Sequence, residues 1–310
     1  MRIAAPEAAQ VAPAARPARV DSPGRRVAAE FAESRLALAG LGLLVLLVAI
    51  AIAAPFISPQ NPYDLAQLDV LDSRLAPGEH SSSTAKPYWL GTDDQGRDML
   101  SAIFYGLRIS LSVGVASTVI ALAIGLVLGL AAAYFGGWVD AAIMRVADIQ
   151  LAFPAILIAL ILLAILGQGV GKIIAALVTV QWAYYARTVR ASALVERQKE
   201  YVEAAQVLAL SQPRIVLRHL LPNCLPPLIV VATVQVAHAI SLEATLSVLG
   251  LGLPITEPSL GLLIANGFQY LLSGKYWISF YPGVALLVTI MAINLVADQL
   301  RDILNPRLKR

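Results

Sequence analysis

The sequence predicts an all-α membrane protein with six transmembrane helices and both termini in the cytoplasm. Three observations carry that reading: the composition, the recurrence of long apolar runs, and the placement of the basic residues. Of 310 residues, 58% are hydrophobic and 14% charged, whereas a soluble globular domain is usually about 25% charged. The net charge is only +3 and the basic residues are dispersed, so no clustered basic face marks a nucleic-acid partner. The single cysteine, Cys224, excludes an internal disulfide and a thiolate metal site of its own.

Residues 1–35 are rich in Ala, Pro and Arg and contain no apolar run. They read as a disordered cytoplasmic tail and lack the basic-then-apolar order of a signal peptide. A spanning helix needs about 20 mostly apolar residues. The first such run is 36–57, ended by Ser58 and Pro59, and the polar stretch 58–108 after it is expected outside the cell. The second span is expected over 109–135, ended by Gly136 and Gly137. The third covers 151–166, with Pro154 in the first turn, where proline is tolerated. The fourth starts at Ile173 and reaches the Arg187 to Arg190 region. The fifth runs from Leu225 to about Leu251 and the sixth from Phe280 to Ala297. With the N-terminus inside, 17 of the 23 Lys and Arg fall on the cytoplasmic side, as the positive-inside rule requires.

Two packing signals accompany the spans. Gly125 and Gly129 form a small-xxx-small pair that admits a neighbouring helix closely. Leu260, Ile264, Phe268 and Leu271 recur at helical steps between spans five and six. That stripe fits a short helix in the outer interface, a re-entrant piece, or a loop helix covering the bundle.

Chemistry is scarce, and no catalytic or metal-binding set is expected. The run from Gly167 to Lys172 has neither the glycine nor the Ser or Thr of a phosphate loop and reads as a turn between spans. His80, His219 and His238 form no zinc pattern, and no nucleophile elbow is present. Glu243 is the one acid well inside a span, about 27 Å from Leu225 along a helix. An intramembrane acid is a functional candidate, so a role on the path or against a partner helix stands beside that of a plain interfacial acid. Gln181, Gln235 and His238 are further polar candidates for a translocation path, Gln235 and His238 being three apart on one helical face. The alternative is that this face packs on another helix. A self-contained secondary transporter using Glu243 would call for inverted repeats, and none is visible.

The remaining feature is a charged island, residues 187–223. Its Ala, Leu, Glu and Gln content favours helix, Ser211 suits an N-cap with Pro213 in the turn after it, and Pro222 marks the return to the membrane. The reading is helix, tight turn at 209–211, second helix. Its apolar corner, Ala204, Ala205, Val207, Leu208 and Leu210, suits a groove on another protein.

Glu203-Ala204-Ala205, with Leu221-Pro222 beyond, resembles the EAA loop of ABC-type import permeases. Trp89-Leu90-Gly91-Thr92-Asp93-Asp94-Gln95-Gly96-Arg97-Asp98 and Tyr105-Gly106-Leu107-Arg108-Ile109-Ser110-Leu111 resemble the C-type permeases of dipeptide, oligopeptide and nickel importers. The segments Leu249 to Pro254 and Leu300 to Leu308 are similar to the same subfamily. The resemblance covers roughly residues 35–310.

The resemblance implies an ABC type I importer permease architecture, with 109–310 as a permease core of five spans around a coupling loop at 187–223. It implies a multi-pass protein of the cell inner membrane that moves di- or oligopeptides by alternating access. Its expected partners are a homologous second permease subunit, two cytoplasmic ABC ATPases that hold ATP and Mg, an extracytoplasmic substrate-binding protein and membrane lipid. No cofactor of its own and no enzymatic activity are implied. The ATPase-coupling residues would be Tyr201, Glu203, Ala204, Ala205, Leu208, Ala209, Leu210, Ser211, Arg214 and Pro222. The family carries glycine six positions after the Glu, where this chain has Ala209. Because alanine avoids positive φ, the turn at Ala209 is expected to use helical or bridge-region angles.

Overall fold

The computed structural model describes residues 23–83 and 86–304. The described residues form eleven α-helices: α1 (Pro23–Glu33), α2 (Arg35–Ile57), α3 (Met99–Phe135), α4 (Gly137–Ala152), α5 (Ala155–Leu166), α6 (Val170–Arg197), α7 (Glu200–Val207), α8 (Gln212–Ile215), α9 (Leu221–Val248), α10 (Leu260–Phe268) and α11 (Trp277–Leu304). Among the described residues the only β pairings are two isolated bridges. In hydrocarbon a helix satisfies its own backbone polar groups, and the chain is built accordingly.

Among the described residues four helical stretches are long and apolar enough to cross a membrane: α2, α3, α8 to α9 taken together, and α11. The α4–α5 pair adds a fifth if counted as one span, and its two members bend by 92°. The expected third span, 151–166, is therefore not one helix. The residue before a proline is driven to extended backbone, and Phe153 sits at φ −93, ψ 145. Pro154 ends up as the N-cap of α5 instead of inside its first turn.

The expected fourth span is α6, which has 28 residues and runs past the Arg187 to Arg190 region where the loop was expected to begin. It falls outside the set of apolar crossing helices, and its contacts explain why. Asp140 of α4 bonds Arg190 through both carboxylate oxygens, and Asp148 pairs with Arg187. Gln150 accepts from Trp182 Nε1 at 2.7 Å and donates to the Val180 carbonyl at 3.1 Å. α6 therefore carries polar side chains that are met by partners on α4 and not an unbroken apolar coat.

Three further boundaries differ from the sequence reading. α3 starts ten residues before Ile109, because Asp98 caps it: its carboxylate accepts from the Ser101 amide at 2.8 Å and hydroxyl at 2.5 Å. Arg108 and Ser110 then lie inside the helix, which hid that start. Residues 23–33 of the expected disordered tail are helical. The Arg26–Glu30 pair at 2.9 Å and half-buried Val27 and Phe31 on one face hold α1 against α2 and α11. The rest of that tail, 1–22, and the C-terminal residues 305–310 lie outside the described residues.

α3 is the central helix and its largest partner is α6. The glycine pair works as its spacing suggests. A Cβ on Gly125 would lie 2.4 Å from Tyr185 Cβ, and one on Gly129 would lie 2.6 Å from the Ala186 carbonyl oxygen. Gly114 repeats this on the α9 side, 2.6 Å from Ile240. α10, the predicted stripe, inserts between α9 and α11, where a Cβ on Gly261 would lie 2.4 Å from Ala244 Cα and one on Gly267 would lie 2.5 Å from the Ser279 nitrogen. Its buried face is Leu260 and Leu263, while Phe268 and Leu271 are exposed.

At the end of the bundle away from residues 198–211, the segment between α2 and α3 is tied down by polar contacts. Buried Arg97 pairs with Asp93 at 2.6 Å and donates to the Ile255 carbonyl at 2.9 Å. Trp277 Nε1 donates to the Thr92 carbonyl at 3.2 Å. The turn from Gly167 to Lys172 joins α5 to α6, with positive φ at Gly167 and Gly169.

Gly125→Val should force α3 and α6 apart and cost about 1–3 kcal/mol or more, read as loss of folded protein or a lower Tm in detergent. Gly171→Ala, where a Cβ meets nothing within 4 Å, should leave both unchanged.

Candidate functional site

The site is the elbow that joins α6 to α9. α6 ends at Arg197, whose guanidinium donates to the carbonyls of Ala133 and Tyr134 at 3.0 and 3.2 Å and lies 5.9 Å over the Tyr134 ring. Those carbonyls belong to the last turn of α3, which has no helical donors for them. The elbow is thus pinned to the end of the central helix.

A polar strap crosses its base. Glu196 accepts from Lys199 Nζ at 2.6 Å and from the Tyr201 hydroxyl at 2.6 Å. Asn223, at the start of α9, donates to the Tyr201 oxygen at 3.1 Å and to the His219 carbonyl at 2.8 Å. Burial and the bond to Glu196 push the Tyr201 phenol up to about 12, so it stays a donor at neutral pH. One tyrosine therefore links the end of α6 to the start of α9. Beneath it lies a small apolar core of Val202, Ala205, Ile215 and Leu220, with Tyr134, Leu210 and Val216 against it.

The tight turn sits where expected, but its geometry does not. Ala209 adopts φ +53, the left-handed conformation rather than a helical or bridge-region one. The hydrogen bonds give the reason: Ala209 N donates to Gln206 O at 2.9 Å and Leu210 N to Ala205 O at 3.2 Å. This pair is a Schellman motif, which requires a left-handed residue at that place. Leu210 packing beside Ala205 completes it. Alanine there costs roughly 1–2 kcal/mol, offset by two carbonyls satisfied and Leu210 tucked into the small core. Ser211 then caps α8 through its backbone: its carbonyl accepts from Arg214 and Ile215 at 2.9 and 3.1 Å, while its hydroxyl makes no cap bond. Between α8 and α9, residues 216–220 form one wide π turn, closed by Leu221 N on Val216 O. It falls where Pro222 withholds the donor that a regular α-turn would use.

The coupling candidates divide into two sets. Ala205, Tyr201 and Leu210 face inward and hold the elbow together. Glu203, Ala204, Ser211, Arg214 and Pro222 are exposed, and so are Val207 at 86% and Leu208 at 72%. Among the described residues the side chains of Glu203 and Arg214 have no hydrogen-bonding partner. The outward face thus offers apolar side chains beside unpaired charges, the composition of a docking surface.

The four path candidates are not on one surface of this chain. Gln181 is buried between α3 and α6, its Oε1 3.5 Å from Thr118 Oγ1 and its Nε2 unpartnered. Gln235 is half-buried and His238 exposed on α9. Glu243 is fully enclosed: Oε1 accepts from Ser247 at 2.9 Å and Ser259 at 2.8 Å, and Oε2 from Ser110 at 3.3 Å. Ser259 also caps α10 through the Leu262 amide at 3.1 Å. Glu243 is therefore a knot joining α3, α9 and α10. Sequence reasoning missed its three serines, of which Ser247 is four residues on along the same helix and Ser110 and Ser259 come from other segments, and missed the α4–α6 ion pairs. The latter had a signal: Asp140 and Asp148 are eight apart and Arg187 and Arg190 three apart, so each pair shares a helical face.

Residues 121–310, more than half of the chain, match the family described as the binding-protein-dependent transport system inner membrane component. Residues 22–77 match the N-terminal TM domain of oligopeptide transport permease C. A di/tripeptide transport system permease of Pseudomonas aeruginosa is 37% identical over 96% of this chain and 97% of its own length. An oligopeptide transport system permease of Bacillus subtilis is 36% identical over 90% of this chain and 88% of its own. A glutathione transport system permease of Pectobacterium atrosepticum is 34% identical over 96% and 95%. Among solved structures, a chain of the MetNI methionine ABC transporter, captured inward facing, superposes with a TM-score of 0.54 at 23% identity. That match covers 66% of this chain and 97% of the other, and it speaks for the fold.

Ala209→Gly should be neutral or stabilising by up to about 1 kcal/mol, because relief of the left-handed cost outweighs the added chain entropy. Ala209→Val should destabilise the elbow and speed amide exchange at Leu210. Glu243→Ala strands three hydroxyls and should cost about 1–3 kcal/mol. Thermal unfolding of the purified chain reads it, and a wild-type Tm would show that the knot holds nothing.

Proposed function

Because the chain belongs to the family of binding-protein-dependent transport system inner membrane components, we propose that it is the C-type permease subunit of an ATP-driven peptide importer. The elbow is the part that a cytoplasmic ATPase moves. The observation that carries this reading is the two-sided construction of residues 196–223. Their inner side is strapped to α3, α6 and α9, and their outer side presents Glu203, Val207 and Leu208 without partners. A rigid piece with an exposed apolar and charged face receives force from a docked protein and passes it to the two helices it joins.

In this reading α6 is the fourth of six spans, both termini are cytoplasmic, and the segment between α2 and α3 faces outward, as the distribution of Lys and Arg favours. A homologous permease packs against the exposed face of α9, where Val234, His238 and Thr245 are uncovered and half-buried Gln235 lies beside them. The path runs between the two subunits along that face. Closure of two ATPases on ATP and Mg drives both elbows, and the spans rock between outward and inward openings. Peptides, delivered by an extracytoplasmic binding protein, are the cargo class supported by the di/tripeptide and oligopeptide permeases among the relatives.

Glu203→Lys should insert normally yet lose ATPase co-purification and at least about tenfold of uptake, roughly 1.4 kcal/mol of coupling. Uptake and co-purification at wild-type levels would remove the elbow from the mechanism. The lone chain in liposomes should be inert, and ion-gradient-driven uptake by it would instead favour a secondary transporter.

A further inference from the structure

Next to the elbow is a groove of about 570 Å³, within the roughly 300–1,000 Å³ of ordinary ligand sites. One wall is the last turns of α3, with Val127, Leu130 and Phe135. The other is Pro213, Val216 and Leu217. Three of these side chains stay largely uncovered by the rest of the chain: Val127 at 66%, Leu217 at 61% and Phe135 at 70% exposed. Arg214 and Arg218 are one helical turn apart, each next in sequence to a lining residue. Both are exposed, and among the described residues neither guanidinium has a partner. From residue 204 to 242 the chain contains no Asp or Glu. Of the acids nearby in the fold, Asp140 is engaged with Arg190 and Glu196 with Lys199 and Tyr201, while Glu200 and Glu203 of α7 are exposed.

We propose that this groove binds one anionic phospholipid, its acyl chain between α3 and the elbow and its phosphate on Arg214 and Arg218. α3 is the wall that selects a lipid: it belongs to a long apolar span, so the groove opens where acyl chains are the solvent. Two arginines at the headgroup level supply the donors that a phosphate diester accepts. Basic pockets between spans at the cytoplasmic surface are a recurring form of lipid recognition. A bound lipid would fill the space between the central helix and the elbow, so the composition of the leaflet would bear on how stiffly the two are joined. The inference rests on α3 crossing the membrane and not on the ATPase reading.

The test is native mass spectrometry of the delipidated full chain titrated with dioleoyl phosphatidylglycerol or dioleoyl phosphatidylcholine. The wild type should retain one phosphatidylglycerol with a preference of at least about tenfold over phosphatidylcholine, about 1.4 kcal/mol. The double variant R214Q/R218Q should bring phosphatidylglycerol down to the phosphatidylcholine level, and R214K/R218K should keep a preference. Ala131→Trp, which fills the groove, should lower retention of both lipids. Equal retention by the wild type would overturn the proposal, as would phosphatidylglycerol binding unchanged in the glutamine variant. Displacement by inorganic phosphate alone would reduce the site to an anion contact. Loss of the lipid on assembly with the second permease would assign the groove to a helix of that partner. A shifted elution volume of Ala131→Trp leaves the charge variants, which alter only exposed side chains, to decide.

Discussion

The close approach of α3 to α6 and α9 is the constraint from which the rest follows. Gly125 and Gly129 let the backbone of α6 come within a distance that no side chain would permit, and Gly114 does the same for α9. In a bilayer little hydrophobic force holds one apolar helix to another, so packing of this kind and buried hydrogen bonds must do it. Both are concentrated on α3. Thr118 reaches Gln181 on α6, and Ser110 reaches Glu243 on α9. Once α6 and α9 are fixed to a common helix, any connector between their ends is short of freedom.

The elbow uses that. Arg197 ties it to the last carbonyls of α3, the Tyr201 hydroxyl joins Glu196 to Asn223, and a Schellman turn reverses the chain within three residues. Ala209 in a left-handed conformation is the visible cost of that reversal. The arrangement leaves the outward face free of internal duties. This separation of inward-facing structural groups from outward-facing Glu203, Val207 and Leu208 is what makes the elbow fit for docking. It also gives the π turn at 216–220 a place in the scheme, as the junction between the elbow and a helix that carries Pro222, Pro226 and Pro227.

Much of this was legible from residues alone, and the failures have local causes. The apolar runs marked α2, α3, α9 and α11, because lipid-facing surface is written directly as hydrophobicity. The fourth span was expected to end in the Arg187 to Arg190 region because charge was read as the membrane boundary; the helix instead continues to Arg197, with Arg190 and Arg187 paired to Asp140 and Asp148 of α4. Pro154 was read as tolerated, yet it lies where the preceding residue could leave the helix without loss, and the chain bends there. Ala209 was judged by the preference of its own side chain, whereas the hydrogen-bond pattern around it set its φ. Of the serines around Glu243, Ser247 stands four residues on along the same helix, but Ser110 and Ser259 come from other segments and no local pattern announces them.

The central claim is that the elbow moves as one body with α6. Spin labels at Val207 of the elbow and Ala191 of α6, both exposed positions, test it in the assembled transporter by pulsed dipolar spectroscopy. Cys224 is buried and need not be replaced. The account predicts the same distance distribution within this pair with and without ATP, while the distance from Val207 to the elbow of the partner permease changes. A shift within the pair while the distance between the two elbows stays constant would contradict it.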